Sequence, residues 1–174
     1  NSNLGYSVTL SNGDSLPPWL EFDTASVSLR GVPGNADVGA IELLIVATDD
    51  GELSATDSFT LTVINVNDAP MAMTDSISLF EGDVSENLLQ TVLGNDFDED
   101  PGDTLRVRVV DSNTVLGKVE FDSQIGALVY GATGALFEAL GAGAIAVDSF
   151  SYTVEDSSGA LSAATVNITV LGVN

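Results

Sequence analysis

Between residues 96 and 103 the chain reads Asp-Phe-Asp-Glu-Asp-Pro-Gly-Asp, which sets carboxylates at Asp96, Asp98, Asp100 and Asp103 around a Pro-Gly turn. A lone Asp in such a segment would signify only turn chemistry. Four on a turning backbone converge, and unneutralised they repel one another. A hard divalent cation resolves the conflict, because calcium takes about six to eight oxygen ligands at roughly 2.3 to 2.6 Å. A single acidic loop supplies about three or four of these, so a complete shell draws donors from elsewhere in the chain.

The rest of the composition narrows the chemistry. The sequence contains no His and no Cys, which removes the usual zinc ligands and leaves oxygen donors suited to hard cations. It also removes Ser–His and Cys nucleophiles, and Lys118 lies in no phosphate-loop context. Paired carboxylates could serve glycoside hydrolysis, but every acidic cluster here also fits cation binding. The chain is therefore read as a non-enzyme. Twenty-six Asp and Glu face four basic residues, Arg30, Arg106, Arg108 and Lys118, for a net charge of -22. Nucleic acid would be repelled by that balance. Direct membrane insertion is not expected, since the longest apolar or glycine run, residues 139–147, falls far short of the ~20 residues that span a bilayer. Without cysteine, any stapling in an oxidising compartment needs a chemistry other than disulfides, and calcium is the natural one.

The elements that must position these acids are strands. Apolar residues alternate at Tyr6, Val8, Leu10; at Ile41, Leu43, Ile45, Ala47; and at Phe59, Leu61, Val63. The same pattern returns at Leu105, Val107, Val109; at Phe150, Tyr152, Val154; and at Val166, Ile168, Val170. Each set is expected to face a core, with Thr, Ser and Asn turned to water. Only Gly134 to Ala142 suggests a helical turn. Arg106 and Arg108 are read as outward residues balancing local carboxylates, Trp19 as a packing residue, and Asn167 as ordinary strand polarity.

A repeat organises the whole. Leu61-Thr-Val-Ile-Asn-Val-Asn67 returns as Ile168-Thr-Val-Leu-Gly-Val-Asn174, and an Asp-Gly turn precedes each copy, at Asp49 and again at Asp156. The expected domains are residues 1–67 and 71–174, joined by a short linker, 68–70, that proline closes. On this alignment the first copy lacks its opening strands, and an edge so exposed requires either upstream residues or a strand from another chain.

At this point the residues resemble a known group. Leu16-Pro-Pro-Trp-Leu-Glu-Phe-Asp23, Leu29-Arg-Gly-Val-Pro33, Ala47-Thr-Asp-Asp-Gly51 and Asn65-Val-Asn-Asp-Ala-Pro70 look like the dystroglycan-type cadherin-like domain of bacterial surface proteins. The second copy, with Leu93-Gly-Asn-Asp-Phe-Asp98 and Asp148-Ser-Phe-Ser-Tyr-Thr-Val-Glu-Asp156, is similar to the cadherin-like repeats of RTX-type adhesins, also called VCBS-type. The resemblance implies an all-β fold of two tandem Greek-key, cadherin- or immunoglobulin-like β-sandwich domains, the first without its N-terminal strands. It further implies calcium, Ca2+, at the junction. Carried over by that likeness, the ligands are Asn65, Asn67 and Asp68 from the linker, Asp37 from the first domain, and Asp96 and Asp98 from the second. Asp156 would close the site from its turn, Asn67 could act through its carbonyl, and Glu81 is a further candidate from the first strand of the second domain.

The expected function is a calcium-rigidified extender segment of a large bacterial cell-surface or secreted adhesin, extracellular, whose partners are the neighbouring cadherin-like domains of the same chain. Two alternatives stay open. One is a calcium-dependent module for surface polysaccharide or another partner; the other is a strand-exchanged pair with another copy of itself.

Overall fold

A computed structural model describes residues 4–173, and it separates into two compact units that meet in sequence between Val66 and Asn67. Residues 67–70 thus pack with the second unit. Nearly all regular structure is strand, as the alternating pattern dictates, and the long turns carry the acids.

In the first unit β1 (Gly5–Leu10), β4 (Gly39–Thr48) and β5 (Ser54–Val63) form an antiparallel sheet in the order β1-β4-β5, while β2 (Leu20–Asp23) and β3 (Ser28–Gly31) form a hairpin. Only Leu20 and Leu43 are fully buried among its described residues, so this sheet has a thin core. Among the described residues β5 pairs with β4 alone, and Phe59 on it is 41% exposed.

The second unit holds the main core. Its larger sheet runs β6 (Asp75–Phe80), β11 (Leu161–Leu171), β10 (Ile145–Glu155), β7 (Arg106–Asp111), and β8 (Lys118–Asp122) pairs with β9 (Ala127–Gly131) opposite. Phe150, Tyr152, Val154, Val166, Ile168 and Val170 all point inward, with Leu128, Tyr130 and Phe137 packing on them. Among the described residues every strand pair is antiparallel except β6 with β11, which is parallel and covers the outer edge of β11. The sequence repeat equates β11 with β5, whose corresponding edge has no strand on it among the described residues.

Three details depart from the alternating pattern. Val109 does not face the core; it is 51% exposed, because a bulge shifts the β7–β10 register between Thr153 and Val154. An extra residue on one strand of a pair reverses which side chains point inward, so Val107 and Val110 pack inward instead. The helical turn expected at 134–142 is α2, Ala135–Glu138. A second short helix, α1 (Leu89–Val92), escapes the pattern because only Val92 of its residues is fully buried.

Candidate metal centre

Two turns and one incoming segment build the centre, all within the second unit. The chain leaves α1 and enters the acidic loop, where Asp98 Oδ1 accepts the Asp100 amide at 2.9 Å. Gly102, at φ 89, takes the left-handed backbone that a tight Pro-Gly turn requires and that a side chain would strain. Met71 and Phe97 exchange backbone hydrogen bonds at 2.8 and 3.2 Å, which lays residues 67–71 beside this loop. Opposite them, Asp156 opens the hairpin turn from β10 to β11. Its Oδ1 accepts the amides of Ser158 and Ala160 at 2.9 and 2.8 Å.

Asp98, Asp103 and Asp156 each offer a carboxylate oxygen, and these oxygens lie within 4.8 Å of one another. Asp98 Oδ2, Asp100 Oδ1 and Asp103 Oδ2 are buried without a hydrogen-bond partner. Buried carboxylate oxygens left unsatisfied beside others of like charge are costly, and a cation removes the cost. No basic side chain does so here: Arg106 and Arg108 are drawn to Glu155, Lys118 pairs with Glu120, and Arg30 belongs to the first unit. An all-oxygen set with orphaned acceptors fits a hard divalent ion such as calcium.

The supporting contacts keep the acids ready. The Asn67 side chain donates to Asp156 Oδ2 at 2.9 Å, and this bond, with the amides of residues 158–160, holds the Asp156 carboxyl below its ordinary range against the opposing effect of burial. The Asp68 amide donates to Asp100 Oδ2 at 2.7 Å, so Asp100 is anchored through one oxygen while the other stays unpartnered. Ser157 Oγ donates to Asp103 Oδ1 at 2.5 Å.

The residues expected to bind metal therefore divide. Asp98, Asp103 and Asp156 come together; Asp100 is tied to Asp98 through its amide, Asn67 contacts Asp156, and the Asp68 amide contacts Asp100. Asp96 does not join the group. Its carboxylate accepts the Met73 amide at 2.7 Å and lies 3.1 Å from the hydroxyl of Tyr152, which also contacts Asp75 Oδ2 at 2.9 Å. Burial pushes the carboxyls of both Asp75 and Asp96 above the usual range. Asp37 and Asn65 belong to the first unit; Asp37 Oδ2 accepts the Gly34 amide at 2.9 Å in a local turn, and Asn65 is exposed.

Glu81 also stands apart. Its amide donates to Leu171 O at the far end of β11, whereas Asp156 precedes the near end, about ten residue steps of ~3.3 Å away. One ion cannot span that distance. Both Glu81 carboxylate oxygens are nevertheless buried without a partner.

Two supporting residues escaped the sequence reading. Ser157 follows Asp156 directly and was legible only as turn polarity. Tyr152 carried the inward pattern of β10, but nothing in the alternation signals that its hydroxyl takes up Asp96.

Comparison with known families and structures follows the same division. Residues 67–172 match the family model described as "Bacterial cadherin-like domain", and residues 1–64 match the one described as "Putative Ig domain". No curated protein matches the sequence. Among solved structures the fold is similar to human CDH23 EC21-23, at 19% identity and TM-score 0.56, covering 99% of this chain and 59% of that one. It is similar also to human mucin-like protocadherin EC1-2, at 20% identity and TM-score 0.55, covering 97% and 85%. Drosophila N-cadherin EC1-4 aligns at 19% identity and TM-score 0.54, covering 98% and 41%. At these identities the likeness is one of fold.

Proposed function

The chain belongs to the bacterial cadherin-like domain family, and from that premise we propose that it is a calcium-stiffened extender segment of a large bacterial surface or secreted adhesin. Cadherin-like domains are typically extracellular adhesion or spacer modules, and no helix among the described residues is long and apolar enough to cross a membrane. The observation that carries the reading is the group Asp98, Asp103 and Asp156 with its buried, unpartnered oxygens.

Asp98, Asp100, Asp103 and Asp156 would hold the ion, with Asn67 and Asp68 as the nearest further donors. Bound calcium supplies the positive charge that these acids lack. The chain's own part is to keep them aimed: Asn67 and the turn amides fix Asp156, Ser157 fixes Asp103, and the Asp68 amide fixes Asp100. Because Asn67 and Asp68 are the first residues after Val66, ordering them on an ion restrains the peptide that joins the two units. At calcium about a hundredfold above its dissociation constant, one such site adds roughly 2.7 kcal/mol of stability.

Calorimetry and small-angle scattering in calcium and in EGTA test the proposal. Calcium should raise the melting temperature and narrow the distribution of particle dimensions, and Asp103→Asn with Asp156→Asn should abolish both responses. Identical profiles in the two buffers would sink it.

A second reading, exchange of a strand between two copies, is favoured by one observation. The outer edge of β5, beside a groove lined by Trp19, Leu20, Leu61 and Val63, pairs with no strand among the described residues. Light scattering on the eluting peak distinguishes a monomer from such a pair.

A further inference from the structure

The second unit contains another built feature, at Glu155, the last residue of β10, next to Asp156. Glu155 is only 6% exposed, and two arginines close over it: Arg106 Nε lies 2.8 Å from Oε2 and Arg108 Nη1 lies 2.5 Å from Oε1. Two guanidinium groups share one carboxylate, which leaves one positive charge unmatched in a chain of net charge -22. Half of all the basic residues in the sequence meet at this point.

The triad borders a cavity of about 410 Å³ at the open edge of β7, walled by Leu89, Leu93, Val107 and Phe121, with Ser123 and Gly126 at the β8–β9 turn. Ligand clefts of roughly 300 to 1,000 Å³ combine apolar walls with a few convergent polar groups, as this one does. The bulge in β7 falls at Arg108 and turns Val109 outward. Bulges re-aim side chains in this way and are over-represented beside functional sites. Each guanidinium carries five N–H donors in a planar fork, so the contacts to Glu155 leave donors over.

We propose that the Arg106–Glu155–Arg108 triad and its cavity bind a small organic monocarboxylate, its carboxylate on the two guanidinium groups and its apolar body against Phe121 and the leucines. A single residual positive charge matches a monoanion better than a phosphate dianion, which the surrounding acids would repel. Charge-assisted, fork-shaped pairing to a carboxylate is the interaction arginine makes best. Glu155 is then a positioning residue that fixes both forks.

The test is a titration of the isotopically labelled chain, in one fixed calcium concentration, with phenylacetate and separately with 2-phenylethanol, which keeps the apolar body and lacks the charge. Phenylacetate should give saturable amide shifts at Arg108, Ser123 and Gly126, and 2-phenylethanol none at matched concentration. Arg108→Gln should weaken phenylacetate binding about tenfold, the loss of one charge-assisted bond. Lys118→Gln, which removes the same charge elsewhere, should leave it unchanged. Arg106→Gln serves as the second variant should the first not give a folded spectrum. The proposal is overturned by unsaturable or absent phenylacetate shifts, by equal affinity in the arginine variants, or by equal binding of the alcohol.

Discussion

The backbone amide of Asp68 donates to Asp100 Oδ2 at 2.7 Å, while Asp100 Oδ1 is buried with no partner. One carboxylate thus secures the segment arriving from the first unit and at the same time presents an oxygen free to take a cation. Such an arrangement is stable when occupied and strained by like charge when empty, and a crossover between the two conditions is its signature.

Asp98→Asn should therefore act with opposite sign in two buffers. In EGTA the substitution relieves repulsion with Asp103 and Asp156 and should raise the melting temperature. In saturating calcium it removes a ligand and should lower it. Thermal unfolding of both proteins in both buffers checks this, and parallel shifts of the same sign would refute a metal role for Asp98.

Asp148 offers a test free of metal. Its Oδ2 accepts from the Leu116 and Gly117 amides at 2.9 and 3.0 Å and from the Tyr130 hydroxyl at 2.7 Å, and Oδ1 accepts from the Ser149 amide. Burial pushes this carboxyl upward, but the four hydrogen bonds outweigh it and hold it below the ordinary range. A folded value below the unfolded one stabilises above the ordinary carboxylate value, ~3.9, and is lost as pH falls through the folded value. Asp148→Asn should cost about 1–3 kcal/mol at neutral pH. That penalty should shrink on acidification, as urea unfolding from pH 7 to pH 3 would show.

The Asp75–Tyr152–Asp96 network carries the reverse dependence. Tyr152 has one hydroxyl proton, yet its oxygen faces two carboxylates and the carbonyls of Met73 and Val92, at 3.0 and 2.9 Å. Acceptors outnumber donors, and burial raises both carboxyls. Folded values above the unfolded ones stabilise below the ordinary carboxylate value and lose that contribution as pH rises through the raised values. Measured in EGTA, Asp75→Asn should gain on the wild type as pH climbs above about 4. A stability difference that stays flat with pH would contradict this.

Much of this architecture was legible. The inward sets at Phe150, Tyr152, Val154 and at Val166, Ile168, Val170 need nothing beyond period-two alternation, because those strands are long and covered on one face. Density of charge marked the acidic loop for the same local reason. What alternation could not carry was register across strands. Alternation alone places Val109 inward, and the bulge that turns it out depends on β10 opposite it. Asp96 was grouped with Asp98 by spacing, although the Tyr152 hydroxyl, 56 residues away in sequence, draws it elsewhere. Glu81 likewise looked like a partner of Asp156 until the parallel pairing of β6 with β11 set it at the opposite end.

Glu81 supports a fourth expectation. Two buried carboxylate oxygens without partners make this side chain a net cost to the calcium-free fold. Glu81→Gln should raise the melting temperature in EGTA by several degrees, since about 1 kcal/mol corresponds to roughly 4–8 °C in a domain of this size. Differential scanning calorimetry decides it, and an unchanged or lower transition would show that the charge is already compensated.

The parallel pairing of β6 with β11 bears on how the second unit answers tension. The chain enters β6 from the Pro70 side and leaves β11 beyond Leu171, so a pull on the two ends drags these strands past each other lengthwise. The rungs from Asp75 opposite Val166 to Phe80 opposite Leu171 are then loaded all at once. Antiparallel neighbours drawn from a common end would peel apart one bond at a time. Shear of this kind resists lengthening, and the resistance comes from the order in which the backbone is threaded.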